Sequence, residues 1–407
     1  MAQTLKHKRA AALRFIFVTI FIDIVGLGII IPVIPKLLQQ LDNVDNSTAS
    51  GVNGWLTFTY AFMQLLFSPI LGNLSDRFGR RPILLLSLLG FSIDYMFMAF
   101  APNVFWLFVG RVIAGITGAT MATSTAYIAD ISEGDERSAH FGVIGAASGL
   151  GFIIGISAGA FLGAINIKFP FIAAAALALF NALYGFFVLP ESLDKEHRRK
   201  FEWKRANPIG SLISLSKYSS LLVLAIAFTL VYIAQKAVEY QLSFYLYQKF
   251  NWSMTSVGIL GIFIGVLLIA IQGGLIRILV PKFGLKKNIL WGLALYGIGL
   301  TLIAFASKGW MVYVFMIPYC LGGISGPALQ SLITNKYEKN EQGELQGGLS
   351  LLSSLSLIIG PLLMGYIFQF FTKAGSSVYF PGAPYILGAV LMFISTILAV
   401  RSIKKLA

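Results

Sequence analysis

Long apolar runs separated by short polar breaks fill the chain from about residue 13 to residue 402. A run of about 20 mostly apolar residues is long enough, as a helix, to cross the hydrocarbon core of a bilayer. Twelve such runs stand out, with approximate limits 13–41, 51–74, 83–101, 104–131, 138–165, 169–190, 219–248, 254–280, 288–306, 309–335, 345–371 and 383–402. The expected fold class is therefore an all-α membrane protein of twelve transmembrane helices. Most connections are short, but "PESLDKEHRRKFEWKRANPIG", residues 190–210, is long and polar. It divides the chain into an N-terminal six-helix bundle (1–190), a linker (191–218) and a C-terminal six-helix bundle (219–407).

The two halves resemble each other. "FGRR" at Phe78 has a counterpart in "FGLKK" at Phe283, and "GLGFIIGISAG" has one in "LSLIIGPLLMG". Phe78 to Phe283 and Gly155 to Gly360 are both 205 residues apart (283 − 78 and 360 − 155). A shared offset at independent matches points to a duplicated six-helix unit, pseudo-symmetric and facing one way because six is even. Parallel repeats of this kind place a substrate site between the halves near the bilayer midplane.

Composition agrees: 57% of residues are hydrophobic and 12% charged, about half the charged share of a soluble protein. The net charge of +14 would suit nucleic acid, but its placement points to topology instead. Lys6, Lys8, Arg9, Arg14, Arg77, Arg80, Arg81, Arg137, the basic residues from Lys195 to Lys217, Arg277, Lys282, Lys286, Lys287, Lys336, Lys339, Arg401, Lys404 and Lys405 fall on one side. The other side has Lys36, Lys168, Lys249, Lys308 and Lys373. By the positive-inside rule both termini and the linker are cytoplasmic, and no nucleic-acid partner is expected. The linker reads as a solvated segment with some attraction to anionic lipid. The basic start runs into too long an apolar stretch, without a cleavage site, to be a cleaved leader. The single cysteine, Cys320, excludes a disulfide framework.

Charge is concentrated in "GNLSDRFGRRP", Gly72 to Pro82. Gly79 permits a tight turn, Pro82 suits the first turn of the next helix, and the arginines hold the loop in the cytoplasm. Asp76 is not needed for any of these. It lies within reach of Arg77, Arg80 or a neighbouring helix N-terminus, and it reads as a breakable contact at a cytoplasmic gate or, more plainly, as a loop acid.

Five ionisable residues fall inside apolar runs: Asp23, Asp94, Arg111, Lys236 and Glu239. Each is costly in a membrane and is a functional candidate by default. Counting helix rise, Asp23 and Asp94 lie about 15 and 17 Å from the cytoplasmic ends of their helices, and Arg111 about 11 Å from the outer end of its own. All three come out near mid-membrane. One acid paired with Arg111 gives a structural lock; the other is left over as a site of reversible proton uptake. Lys236 and Glu239 are three apart and share a helix face. They form either an internal pair or, with Gln235, Tyr240 and Gln241, a polar patch on the substrate path, with Tyr232, Phe244 and Tyr245 as further lining. Gly151, Gly155, Gly159 and Gly163 recur every four residues, a spacing for close helix packing, and Gly360–Pro361 marks a bend in the repeat partner.

"GNLSDRFGRRP" is similar to the signature loop between helices two and three of the major facilitator superfamily. Four segments, "FIDIVGLGIIIPVIP", "LLGFSIDYMFMAF", "GRVIAGITGATMATSTAYIADI" and "LQGGLSLLSSLSLIIGPLLMGYIF", resemble the bacterial tetracycline/proton antiporters. The resemblance implies the major facilitator fold, alternating access, and proton-driven export of a small amphipathic, drug-like molecule, as in multidrug efflux. It also implies roles in coupling for Asp23, Asp94 and Arg111, and places Asp130 beside the signature loop, where Arg77 or Arg80 would bridge it to Asp76. The chain departs from the antiporter pattern in three places, one of them helix seven, where Lys236 and Glu239 replace a less charged stretch. It has Gly155–Ile156 where the antiporters have Gly-Pro, and "ILWGLALYGIGLTLIAF" lacks their acid.

The expected protein is a monomer in the bacterial inner membrane, with a small molecule, protons and the lipid bilayer as partners, and without cofactor or metal. It is not expected to be an enzyme. "GISAG" and "GISG" match serine-hydrolase patterns, but the histidines, His7, His140 and His197, lie near or in the cytoplasmic phase, away from them. "NST" at Asn46 is a common chance match to a glycosylation acceptor. Two rivals remain: a transporter of an anionic metabolite or carboxylate siderophore, suggested by Arg111 and Lys236, and a non-transporting membrane receptor.

Overall fold

The computed structural model describes residues 2–132, 134–201, 219–334 and 342–405. The basic residues expected in the linker from 202 to 217, and Lys336 and Lys339, lie outside the described residues. Among the described residues, twelve helical segments are long and apolar enough to span a membrane, and there are no strands.

The first part of the chain forms α1 (Ala2–Asp42), α2 (Asn46–Phe78), α3 (Arg80–Phe100), α4 (Val104–Thr117), α5 (Thr120–Ile131), α6 (Gly134–Ile165) and α7 (Phe169–Val188). The second forms α8 (Ser219–Phe250), α9 (Met254–Ile269), α10 (Ile276–Phe305), α11 (Gly309–Gly322), α12 (Ser325–Thr334), α13 (Gln342–Thr372) and α14 (Ala383–Lys405). A π-helical stretch, Ala270–Leu275, joins α9 to α10. Two spans expected to be continuous are each broken: 104–131 into α4 and α5, and 309–335 into α11 and α12.

The contacts group into two units. One comprises residues 1–42 and 59–207, the other 43–58 and 208–407. Within the first unit, α1 packs on α6 and α7, and α3 lies between α4 and α7. Within the second, α8 packs on α13 and α14, and α10 lies between α11 and α14. The pairing order is the same, as a duplicated unit requires. The local breaks repeat too. Gly79 and Gly284 both have positive φ (109° and 73°) and are 205 positions apart (284 − 79). The α4–α5 break after Thr117 recurs after Gly322 at the same offset (322 − 117). The early turns of α2, residues 46–58, belong to the second unit. Ser50 donates to Gln241 Oε1 of α8 at 2.7 Å, and Ser47 donates to the Gln369 carbonyl of α13 at 3.0 Å.

Large apolar side chains face outward as well as inward. Phe187 is 80% exposed and Ile165 75%, which is the surface a lipid solvent favours. The interior instead holds helices together with small residues and interhelical hydrogen bonds. Asn181 of α7 donates to Thr19 Oγ1 of α1 at 3.0 Å, and Ser395 of α14 to the Ala227 carbonyl of α8 at 3.0 Å. α1 and α6 approach closely along a row of glycines. A Cβ at Gly155 would meet the Val25 carbonyl oxygen at 2.4 Å, and one at Gly151 or Gly159 would meet the Phe21 or Ile29 carbonyl oxygen at 2.7 or 2.5 Å.

Candidate functional site

The charges inside the apolar spans of the first unit come from three helices, α1, α3 and α4, with Tyr60 and Gln64 of α2 beside them. Asp94 of α3 is fully buried, and its carboxylate pairs with the Arg111 guanidinium of α4, whose Nε donates to Asp94 Oδ1 at 3.1 Å. Gly110 lets the helices come this close, because a Cβ there would meet Asp94 Oδ1 at 2.8 Å. Asp94 is therefore the acid held by the arginine. Asp23 of α1 is the one left over: its Oδ1 is sealed from solvent with no hydrogen-bond partner among the described residues. A buried acceptor with no hydrogen-bond partner is rare and costly.

Two tyrosines stand beside Asp23, and one of them, Tyr60, also meets Arg111. Its carboxylate is close enough to act electrostatically on the hydroxyls of both Tyr60 and Tyr95. The Arg111 guanidinium stands 5.5 Å from the Tyr60 ring centroid, the geometry of a cation–π contact. The Tyr95 hydroxyl lies directly against Gly26, one helical turn beyond Asp23, where a Cβ would overlap it. Gln64 of α2 donates to the Tyr60 hydroxyl at 3.0 Å and to the Gly118 carbonyl at 3.1 Å. The second bond satisfies a carbonyl freed by the α4–α5 break, so the break and the charge cluster share one residue. Tyr60, Tyr95 and Gln64 do not stand out in the sequence. Only Gln64, a polar residue in an apolar run, carries a local signal.

The second unit carries the other charges. Lys236 and Glu239 of α8 pair with each other, and the Lys236 ammonium lies 5.8 Å from the Tyr240 ring centroid. Gly360 makes room for the lysine, since a Cβ there would meet Lys236 Cγ at 2.6 Å. α13 runs unbroken through Gly360–Pro361. Gln235 donates to the Tyr296 hydroxyl of α10 at 3.2 Å. Gln241 does not join this group. It lies about 140° around the helix from Lys236 at five residues' separation, is fully buried, and accepts from Ser50. Phe244 and Tyr245, expected to line a cavity, are also fully buried; the Tyr245 hydroxyl donates to the Ile303 carbonyl at 2.6 Å. They turn away for the same reason, falling on the face that packs against α10, α13 and α14.

At the charged loop of the first unit, Arg80 rather than Arg77 joins the acids. It bonds Asp76 at 2.5 Å and Asp130 at 3.1 Å, while Arg77 stacks over Phe78. Asp130 also accepts from Ser192 at 2.9 Å. Glu191, inconspicuous in the sequence, caps α3: its carboxylate accepts the backbone N–H groups of Arg80 and Arg81 at 2.7 and 3.3 Å, against the positive end of the helix dipole. Gly79 permits this, because its φ of 109° suits glycine and a Cβ would meet Glu191 Oε2 at 2.2 Å. Removing the acceptor in Glu191→Ala is expected to destabilise the protein by about 1–2 kcal/mol, as loss of a helix cap does, and Glu191→Gln by less because an amide oxygen remains. Thermal unfolding in detergent reads both; equal stability of Glu191→Ala and the unsubstituted protein would contradict the capping role.

No group of three or more histidine, cysteine, aspartate or glutamate side chains able to hold a metal occurs among the described residues. The chain matches the description Major Facilitator Superfamily over residues 16–282 and 267–405. It is 39% identical over 386 residues to the tetracycline resistance protein, class C, of Escherichia coli, covering 94% of this chain and 95% of that one. It is 36% identical to the class G protein of Vibrio anguillarum, covering 92% and 93%. Its fold is similar to the crystal structure of the human organic anion transporter MFSD10, with a TM-score of 0.72 and 23% identity over 96% of this chain and 99% of that one.

Proposed function

The chain belongs to the Major Facilitator Superfamily, and from that premise we propose that it is a proton-coupled antiporter that exports a small amphipathic molecule. The observation that carries the coupling is the difference between its two mid-membrane acids in the first unit. Asp94 forms an ion pair with Arg111, whereas Asp23 has a buried Oδ1 with no hydrogen-bond partner among the described residues. A committed acid holds structure, and an uncommitted one exchanges a proton. Proton binding at Asp23 removes a charge from the electrostatic field shared with Tyr60 and Tyr95, and so favours one conformation of alternating access; substrate favours the other. The names of the tetracycline resistance relatives support a drug-like cargo moved outward. The excess of basic residues on one face of the sequence supports cytoplasmic termini in a bacterial inner membrane.

An anionic cargo would need a cation with its charge available. The Lys236–Glu239 pair supports the other reading, since it is internally neutral.

Uptake into everted membrane vesicles tests the proposal, with cationic, zwitterionic and acidic compounds each offered with and without a pH gradient. Accumulation of an amphipathic cation or zwitterion that stops when the gradient is collapsed is expected. Lys236→Gln is expected to lose most of this, and Lys236→Gln with Glu239→Gln to regain most of it, since no charge is left unpaired. A well-folded double variant that stays inactive, with acidic compounds most affected, would favour the anionic cargo. Absence of gradient-driven uptake of any compound would contradict transport coupled to protons.

A further inference from the structure

The first unit carries a second recognition feature, away from its buried charges. A groove of about 600 Å³ runs along α3 between Ser92 and Phe100, with Trp106 of α4 in its lining. Its walls are apolar: Ile93, Met96, Phe97, Phe100 and Trp106, with Phe97 and Trp106 stacked at 5.6 Å between centroids. Ile93 is 47% exposed and Phe100 55%, so the groove opens on the surface that meets lipid tails. Seven residues of helix separate the two, so it runs about 10 Å along the helix, from the end of α3 towards the bilayer centre.

A cation stands at the mouth. The Lys168 ammonium lies 5.6 Å from the Phe100 ring centroid, and a turn in which the Asn166 side chain accepts the Lys168 backbone N–H at 2.9 Å positions its backbone. Among the described residues no carboxylate forms an ion pair with it. The positive charge is therefore held against Phe100 at the edge of an apolar slot whose wall also includes Trp106, a residue type favoured at the membrane interface.

We propose that this groove is a binding site for one anionic phospholipid, its phosphate on Lys168 and an acyl chain along Ile93, Met96 and Phe97. In the orientation proposed above, the lipid belongs to the outer leaflet. The groove's direction, along the bilayer normal with its charge at the headgroup end, matches a phospholipid. A water-filled slot is disfavoured by the apolar walls. A zwitterionic lipid would bring its own ammonium to the lysine, so the charge selects an anionic headgroup.

The test uses the purified full chain in detergent, titrated with dioleoyl phosphatidylglycerol or dioleoyl phosphatidylethanolamine and read by native mass spectrometry. The unsubstituted protein is expected to hold one phosphatidylglycerol about fivefold more tightly than phosphatidylethanolamine, the scale of one basic residue at a membrane surface. Lys168→Gln is expected to abolish the preference while retaining both lipids weakly. Ile93→Trp, which fills the groove at an exposed position, is expected to weaken both. Inorganic phosphate, which has the charge but no chain, is expected not to displace the lipid. Equal affinity for the two lipids, a preference that survives Lys168→Gln, or displacement by phosphate alone would each overturn the proposal.

Discussion

Asp94→Asn is expected to destabilise the protein by about 3–5 kcal/mol, the cost of leaving a buried charge without its counter-ion. Asparagine keeps the shape of the side chain but not its charge, and the arginine remains protonated. The carboxylate is fully buried and Arg111 nearly so, so water cannot take over the role of counterion. The loss belongs to the charge left behind rather than to the contact itself. Adding Arg111→Gln to Asp94→Asn is therefore expected to recover a large part of the stability, as a double-mutant cycle in thermal unfolding will read. Asp23→Asn, by contrast, is expected to cost less than about 1 kcal/mol, because its buried Oδ1 holds no hydrogen-bond partner among the described residues. A stability order with Asp23→Asn as the more damaging change would mean that the two acids have each other's roles.

The second large effect is expected at Gly155. Leucine there would direct its side chain into backbone, with the first carbon 2.4 Å from the Val25 carbonyl oxygen and 3.0 Å from the Gly28 Cα. Backbone cannot rotate aside as a side chain can. Separating α1 from α6 is expected to cost about 3 kcal/mol, at the upper end for overpacking, and to reduce the folded yield. The same helix supplies the control. A Cβ at Gly149 meets nothing within 4 Å, so Gly149→Ala is expected to be neutral or to gain up to about 1 kcal/mol from better helix propensity. Melting temperatures of the two variants check both effects. Equal losses would indicate that general helix composition, not close approach, governs this helix.

The spans were legible in the sequence because lipid demands long apolar runs, and twelve of them in one chain would leave a water-soluble fold with more apolar surface than it could bury. The duplication was legible as well, since the segments at Phe78 and Phe283, and those at Gly155 and Gly360, recur at one offset. The breaks themselves were not. Gly118 is only a weak local sign of the interruption, since glycines recur throughout these helices; Gln64, 54 residues away, supplies the donor for the Gly118 carbonyl. Glu191 was hidden for a similar reason. In a polar linker a glutamate looks solvated, and its partners are N–H groups 111 and 110 positions earlier. For the charge cluster, residue type and depth identified Asp23, Asp94 and Arg111, but spacing could not say which acid takes the arginine. That depends on Gly110 admitting α3 to α4. Proximity in sequence was misleading at Gln241, where five residues of helix turn a side chain to the opposite side from Lys236.

Proton exchange at Asp23 is the central claim, and proton release on substrate binding measures it without a membrane gradient. Purified protein in weakly buffered detergent, mixed with a compound accumulated in the vesicle experiment, is read with a pH-indicator dye. The unsubstituted protein is expected to release protons in step with occupancy. Asp23→Asn is expected to bind the same compound and release none, while a stable Asp94→Asn, Arg111→Gln protein still releases them from Asp23. Undiminished proton release from a folded, substrate-binding Asp23→Asn protein would contradict the account.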